Sequence, residues 1–118
     1  MTEPTPLGDI ERLAAILSRL AETIDQRASA ENSASYTAKL LSSGPHAIAK
    51  KVIEEGGELA LALTGESDTA VASEAADVLY HMLVGLKARG ISLDAVARVL
   101  EKRQGTSGLE EKARRKPT

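Results

Sequence analysis

The sequence predicts an all-α fold, a four-helix bundle, and three observations predict it. Apolar residues recur every three to four positions over long stretches, with no strand-like alternation of any length. Ser, Gly and Pro fall where helices would begin and end. Phe and Trp are absent and Tyr occurs twice, so the core must be built from Leu, Ile, Val, Ala and Met, which suits helix packed on helix. The 118 residues fit one domain, expected over residues 9–116 behind a flexible N-terminus of residues 1–8.

The elements follow in order. Ile10, Leu13, Ile16, Leu17, Leu20 and Ile24 have helical spacing over residues 10–26, with Asp9 as the expected N-cap. Residues 27–34 are mostly small and polar and read as a connection. Ser35 can cap a short helix from Tyr36 to Leu41, and Ser42-Ser43-Gly44-Pro45 then breaks the chain. Pro45 suits the first position of a long helix that stops near Gly65. Ser67 can cap the next helix, which runs to about Arg89 and ends at Gly90, an expected C′ glycine. Ser92 can cap a last helix, Leu93 to Arg103, before Gly105 and Gly108 loosen a basic tail from Lys112 to Lys116.

Composition excludes several functions. The formal net charge of −2 is a poor footprint for duplex binding, and two tyrosines leave few platforms for single strands. No nucleic-acid partner is expected. The absence of Cys excludes disulfides, thiolate metal sites and a Cys nucleophile. No apolar run is long enough to span a bilayer, and Met1-Thr2-Glu3-Pro4 does not open a signal peptide. The expectation is a soluble cytoplasmic protein without a membrane partner.

Five acids carry the functional signal: Glu54, Glu55 and Glu58 on one helix, Glu74 and Asp77 on the next. Glu54 and Glu58 are i,i+4; Glu55 and Glu58, like Glu74 and Asp77, are i,i+3, so each set shares a face. Antiparallel packing would turn the two sets toward one cleft. Glu55 interrupts an apolar stripe of Ile48, Val52, Leu59 and Ala62 or Leu63. Burying an unpaired carboxylate costs several kcal/mol or forces protonation. Asp77 lies in a helix whose residues 78–86 are apolar almost all round, so burial is expected there too. Either string alone is most simply a solvated helix face. Together, on consecutive helices, they favour a site for a hard divalent cation, and with Mg²⁺ such a site suits the hydrolysis of a phosphoanhydride.

Other residues leave alternatives open. Gly56 and Gly57 inside a helix cost about 1 kcal/mol each relative to Ala. Either a neighbouring helix approaches closely there or a ligand touches the backbone. His81 is a metal ligand or base in one reading and a hydrogen-bonded core residue in the other. Tyr36 and Tyr80 read as packing residues with tethered hydroxyls. A carboxylate-bridged di-iron bundle would need Glu-x-x-His, a spacing the chain lacks.

Ser35-Tyr36-Thr37-Ala38-Lys39-Leu40-Leu41, the Gly44-Pro45 break, Lys51-x-x-Glu54-Glu55-x-x-Glu58 and Glu74-x-x-Asp77-Val78-Leu79-Tyr80-His81 occur in this order. The set resembles the phosphoribosyl-ATP pyrophosphatases of histidine biosynthesis, members of the all-α, MazG-like nucleoside triphosphate pyrophosphohydrolases, over about residues 9–116. The resemblance implies Mg²⁺-dependent hydrolysis of 1-(5-phosphoribosyl)-ATP to 1-(5-phosphoribosyl)-AMP and pyrophosphate. It makes Glu54, Glu55, Glu58, Glu74 and Asp77 the candidate catalytic and metal-site residues, their individual roles undivided. It makes Lys39 and Lys51 candidates for phosphate contacts. It further implies a homodimer, which agrees with the surplus of apolar residues on the helix bearing Asp77. Without Cys for the zinc site of a fused phosphoribosyl-AMP cyclohydrolase, a stand-alone enzyme is expected. Two other functions fit the same acids: a house-cleaning nucleotide pyrophosphatase, and a non-catalytic helical dimerisation module.

Overall fold

A computed structural model describes residues 9–29, 35–104 and Arg115. The expected flexibility of residues 1–8, residues 30–34 of the expected connection, and most of the expected tail lie outside the described residues. Five helices are present: α1 (Ile10–Ser29), α2 (Tyr36–Ser43), α3 (Pro45–Leu63), α4 (Asp68–Ala88) and α5 (Leu93–Arg103). No strand occurs among the described residues.

Local chemistry explains the boundaries. Ser35, Ser67 and Ser92 have extended backbones, and each hydroxyl accepts the N–H three residues on, that of Ala38, Ala70 and Ala95. Gly44 adopts φ +90° and is the whole connection between α2 and α3. Pro45 takes the first helical position of α3, where a missing N–H costs nothing. Gly90, at φ +68°, ends α4 as expected. The α1 helix outlasts the predicted 10–26 by three residues, because Arg27 and Ala28 are good helix formers despite their small and polar neighbours.

The core gathers Ile24 of α1, Leu40 of α2, Ile48 of α3, and Leu83 and Val84 of α4. Leu17, Leu20, Val52, Tyr80, Leu86 and Leu93 pack against it, half-buried. The α3 and α4 helices make the most extensive contact and run antiparallel. Near the start of α3, Ile48 meets Gly85 near the end of α4: a Cβ at Gly85 would lie 3.4 Å from Ile48 Cγ2. Such a close approach is one of the two readings of Gly56 and Gly57, where an added Cβ would meet nothing within 4 Å. The helix-packing reading of that glycine pair therefore fails among the described residues. The far side of α3 leaves Ile53, Leu61 and Leu63 at 65% exposure or more.

Candidate cation site

The three buried residues of α3 are Ile48, Glu55 and Ala62. They recur every seven positions, so Glu55 lies on the seam that faces α4, where the interrupted stripe put it. The antiparallel register carries Glu55 and Glu58 to the N-terminal half of α4, opposite Glu74. One carboxylate oxygen from each of Glu55, Glu58 and Glu74 lies within 4.8 Å of the others. Glu55 is buried, Glu74 half-buried and Glu58 exposed.

Among the described residues, little offsets this crowding. Lys51 Nζ lies 3.5 Å from Glu54 Oε2 and 3.6 Å from Glu55 Oε1, one turn back on α3. Glu74 Oε2 is buried and has no hydrogen-bond partner. A buried carboxylate oxygen without a donor is costly, and a cation removes the cost. The donor set is oxygen only, with neither His nor Cys in the group, which fits a hard divalent ion such as Mg²⁺. The Lys51 ammonium is held above its ordinary pKa, mainly by the Tyr36 phenol; burial opposes this, and Glu54 and Glu55 assist.

The remaining predicted residues fall outside the trio. Glu54 is exposed and pairs with Lys51. Asp77 is also exposed, which corrects the burial expected of it. The run of large apolar residues in α4 begins at Val78, and the five helices of one chain do not cover the face on which Ala76 and Asp77 lie. Lys39 lies exposed on α2. A groove of about 930 Å³ between α1, α4 and α5, lined largely by residues such as Leu17, Leu86 and Val96, contains none of the candidate acids.

A polar network closes the α2 side of α4. The Asp77 carbonyl lies 2.8 Å from His81 Nδ1 and can only accept, so Nδ1–H donates. In the neutral ring Nε2 is then an acceptor, and the Tyr36 hydroxyl donates to it at 2.9 Å. Thr37 Oγ1 and the Tyr80 hydroxyl share a hydrogen bond. The Tyr36 and Tyr80 rings are near-parallel, with centroids 6.2 Å apart, and each meets His81 edge-on. His81 is thus the hydrogen-bonded core residue of the two alternatives, 5% exposed. Both tyrosines have the tethered hydroxyls expected of them, but Tyr36 remains 49% exposed, which a packing role does not explain.

The class defined by this fold and cluster is an all-α protein with carboxylates from two neighbouring helices gathered in one oxygen-only group. Residues 17–104 match the phosphoribosyl-ATP pyrophosphohydrolase family, and the chain belongs to it, as a hydrolase. Similar proteins include a phosphoribosyl-ATP pyrophosphatase of Caulobacter vibrioides, 50% identical over 105 residues, covering 89% of this chain and 97% of that one. Another, from Methylobacterium radiotolerans, is 50% identical over 101 residues, covering 86% and 94%. The histidine biosynthesis bifunctional protein HisIE of Wolinella succinogenes is 44% identical over 108 residues, 92% of this chain and 47% of its own length.

Proposed function

We propose that the chain hydrolyses 1-(5-phosphoribosyl)-ATP to 1-(5-phosphoribosyl)-AMP and pyrophosphate in histidine biosynthesis, with Mg²⁺ as cofactor. The observation that carries the reading is the orphaned Glu74 Oε2 beside Glu55 and Glu58, in a chain of this family. Glu55, Glu58 and Glu74 would hold the ion, with Glu54 and Asp77 completing the acidic site. When bound, Mg²⁺ supplies charge neutralisation at the triphosphate oxygens.

The chain's own residues do the rest. Water adds at a phosphorus of the triphosphate, the bridging P–O bond breaks, and pyrophosphate leaves. A carboxylate of the site that is not a cation ligand takes the proton from the attacking water. Lys51, half-buried beside Glu54 and Glu55, exchanges its carboxylate partners for phosphate oxygens, and Lys39 contributes a second ammonium. The reaction is placed in the cytoplasm. Two copies would complete a four-helix, MazG-like bundle by covering Ile53, Leu61 and Leu63, which one chain leaves exposed.

The test is release of pyrophosphate from 1-(5-phosphoribosyl)-ATP beside a panel of ordinary nucleoside triphosphates, with and without Mg²⁺. Preferential turnover of the phosphoribosyl compound, dependent on Mg²⁺, is expected. Faster turnover of the ordinary triphosphates would replace this reading with the house-cleaning one. No turnover and no Mg²⁺ binding would leave a helical dimerisation module.

A further inference from the structure

The chain's entire stock of Tyr, Phe and Trp is Tyr36 and Tyr80, and both stand at one place, where α2 meets α4. That place adjoins the acids. His81, which bonds Tyr36, also bonds the Asp77 carbonyl, one turn beyond Glu74. The Lys51 ammonium lies 3.5 Å from Glu54 and 3.6 Å from Glu55, on the helix that Gly44 joins directly to α2.

The two tyrosines differ in exposure. Tyr80 is half-buried against the core and bonded to the buried Thr37. Tyr36 leaves about half its surface in water, although its hydroxyl is tied to a buried histidine. One side of its ring is backed by Tyr80 and its edge by His81. A hydroxyl anchored in this way fixes the ring plane without covering it. Fixed, partly exposed aromatic rings are stacking surfaces for nucleobases, since little entropy remains to be lost on contact.

The acids and lysines account for the phosphates of a nucleotide substrate and leave its base without a partner. Resting on the proposed reaction, we infer that Tyr36 is the platform on which the substrate's purine stacks, with the triphosphate directed to Glu55, Glu58 and Glu74. A purine alkylated at N1 is cationic at neutral pH, so the face of a phenol attracts it electrostatically as well as by dispersion. His81 is then a positioning residue that acts through the Tyr36 hydroxyl.

The experiment compares Tyr36→Leu and Tyr36→Phe by steady-state kinetics on 1-(5-phosphoribosyl)-ATP, with inhibition by inorganic pyrophosphate as a base-free probe. Tyr36→Leu should raise KM about tenfold, with a much smaller change in kcat. Its inhibition by pyrophosphate should match that of the unaltered protein. Tyr36→Phe, which keeps the ring and loses only its tether to His81, should recover most of the lost affinity, and the small rise in KM that remains reads the positioning by His81. Because the chain has no Trp, its tyrosine emission gives a second readout that needs no variant. The product 1-(5-phosphoribosyl)-AMP should quench it and pyrophosphate should not. An unchanged KM in Tyr36→Leu, equal losses in the Leu and Phe variants, weakening of pyrophosphate in parallel, or emission unmoved by the product would each overturn the platform. If the unaltered protein turns over 1-(5-phosphoribosyl)-ATP and one of these results follows, only the platform falls. If it does not turn the compound over, the proposed reaction falls first.

Discussion

The two ends of the α3–α4 pair share one register and have opposite characters. At one end Ile48 lies against Gly85, beside Val84, and Ile48 and Val84 are almost wholly buried. At the other end Glu55, Glu58 and Glu74 bring three carboxylates together with Lys51 as a nearby cation. Full burial of an aliphatic side chain contributes about 1.5–3 kcal/mol, whereas a crowded carboxylate without a partner subtracts. The pair thus separates apolar packing from crowded charge along its length. The apolar end holds the helices at a spacing that the acidic end, left to itself, would widen.

The sharpest break of that comparison is at Glu55. Glu55→Gln should lower kcat by about 10²–10³-fold. Thermal stability without Mg²⁺ should stay level or rise, because one charge leaves the crowd. A large loss of metal-free stability in calorimetry would make Glu55 a structural residue and cancel the division. The converse change is Ile48→Ala, which should cost about 2–5 kcal/mol in urea unfolding while the folded fraction keeps its kcat. Loss of activity ahead of unfolding would show the apolar end tuning the chemistry directly. The smallest effect is expected at Gly57, where an added Cβ meets nothing within 4 Å. Gly57→Ala should stabilise α3 by about 0.5–1 kcal/mol, read as a higher Tm. If activity falls while Tm rises, the bare backbone serves the substrate or a second copy.

Much of this division was legible in the chain alone. The caps at Ser35, Ser67 and Ser92 were readable because a serine hydroxyl before a periodic apolar segment has a local partner, the N–H three residues on. Glu55 was readable because Ile48 and Ala62 flank it at seven-residue intervals, and no other position shares their face as closely. Asp77 was misread as buried. Hydrophobic periodicity tells which residues can be covered, but not how far five helices of one chain reach around α4. The choice between the two readings of the glycine pair was not legible for the same reason, since the close approach is a tertiary fact and falls at Gly85 instead. Tyr36 gave no separate signal, because half-exposure beside an anchored hydroxyl depends on how α2 is set against α4.

How α2 is set depends on one joint. Gly44 alone links α2 to α3, donating its N–H to the Leu41 carbonyl at 3.3 Å and accepting from Ile48 N–H at 3.3 Å. A link of one residue has no slack. It acts as a fixed elbow, with Tyr36 on one arm and Lys51 with Glu55 on the other. An inserted residue would lengthen the hinge and change the reach between the arms, even if every side chain were kept. A residue with a Cβ would strain against φ +90°. The distance between the Tyr36 ring and the acids of α3 is therefore written in the backbone of a residue that belongs to neither.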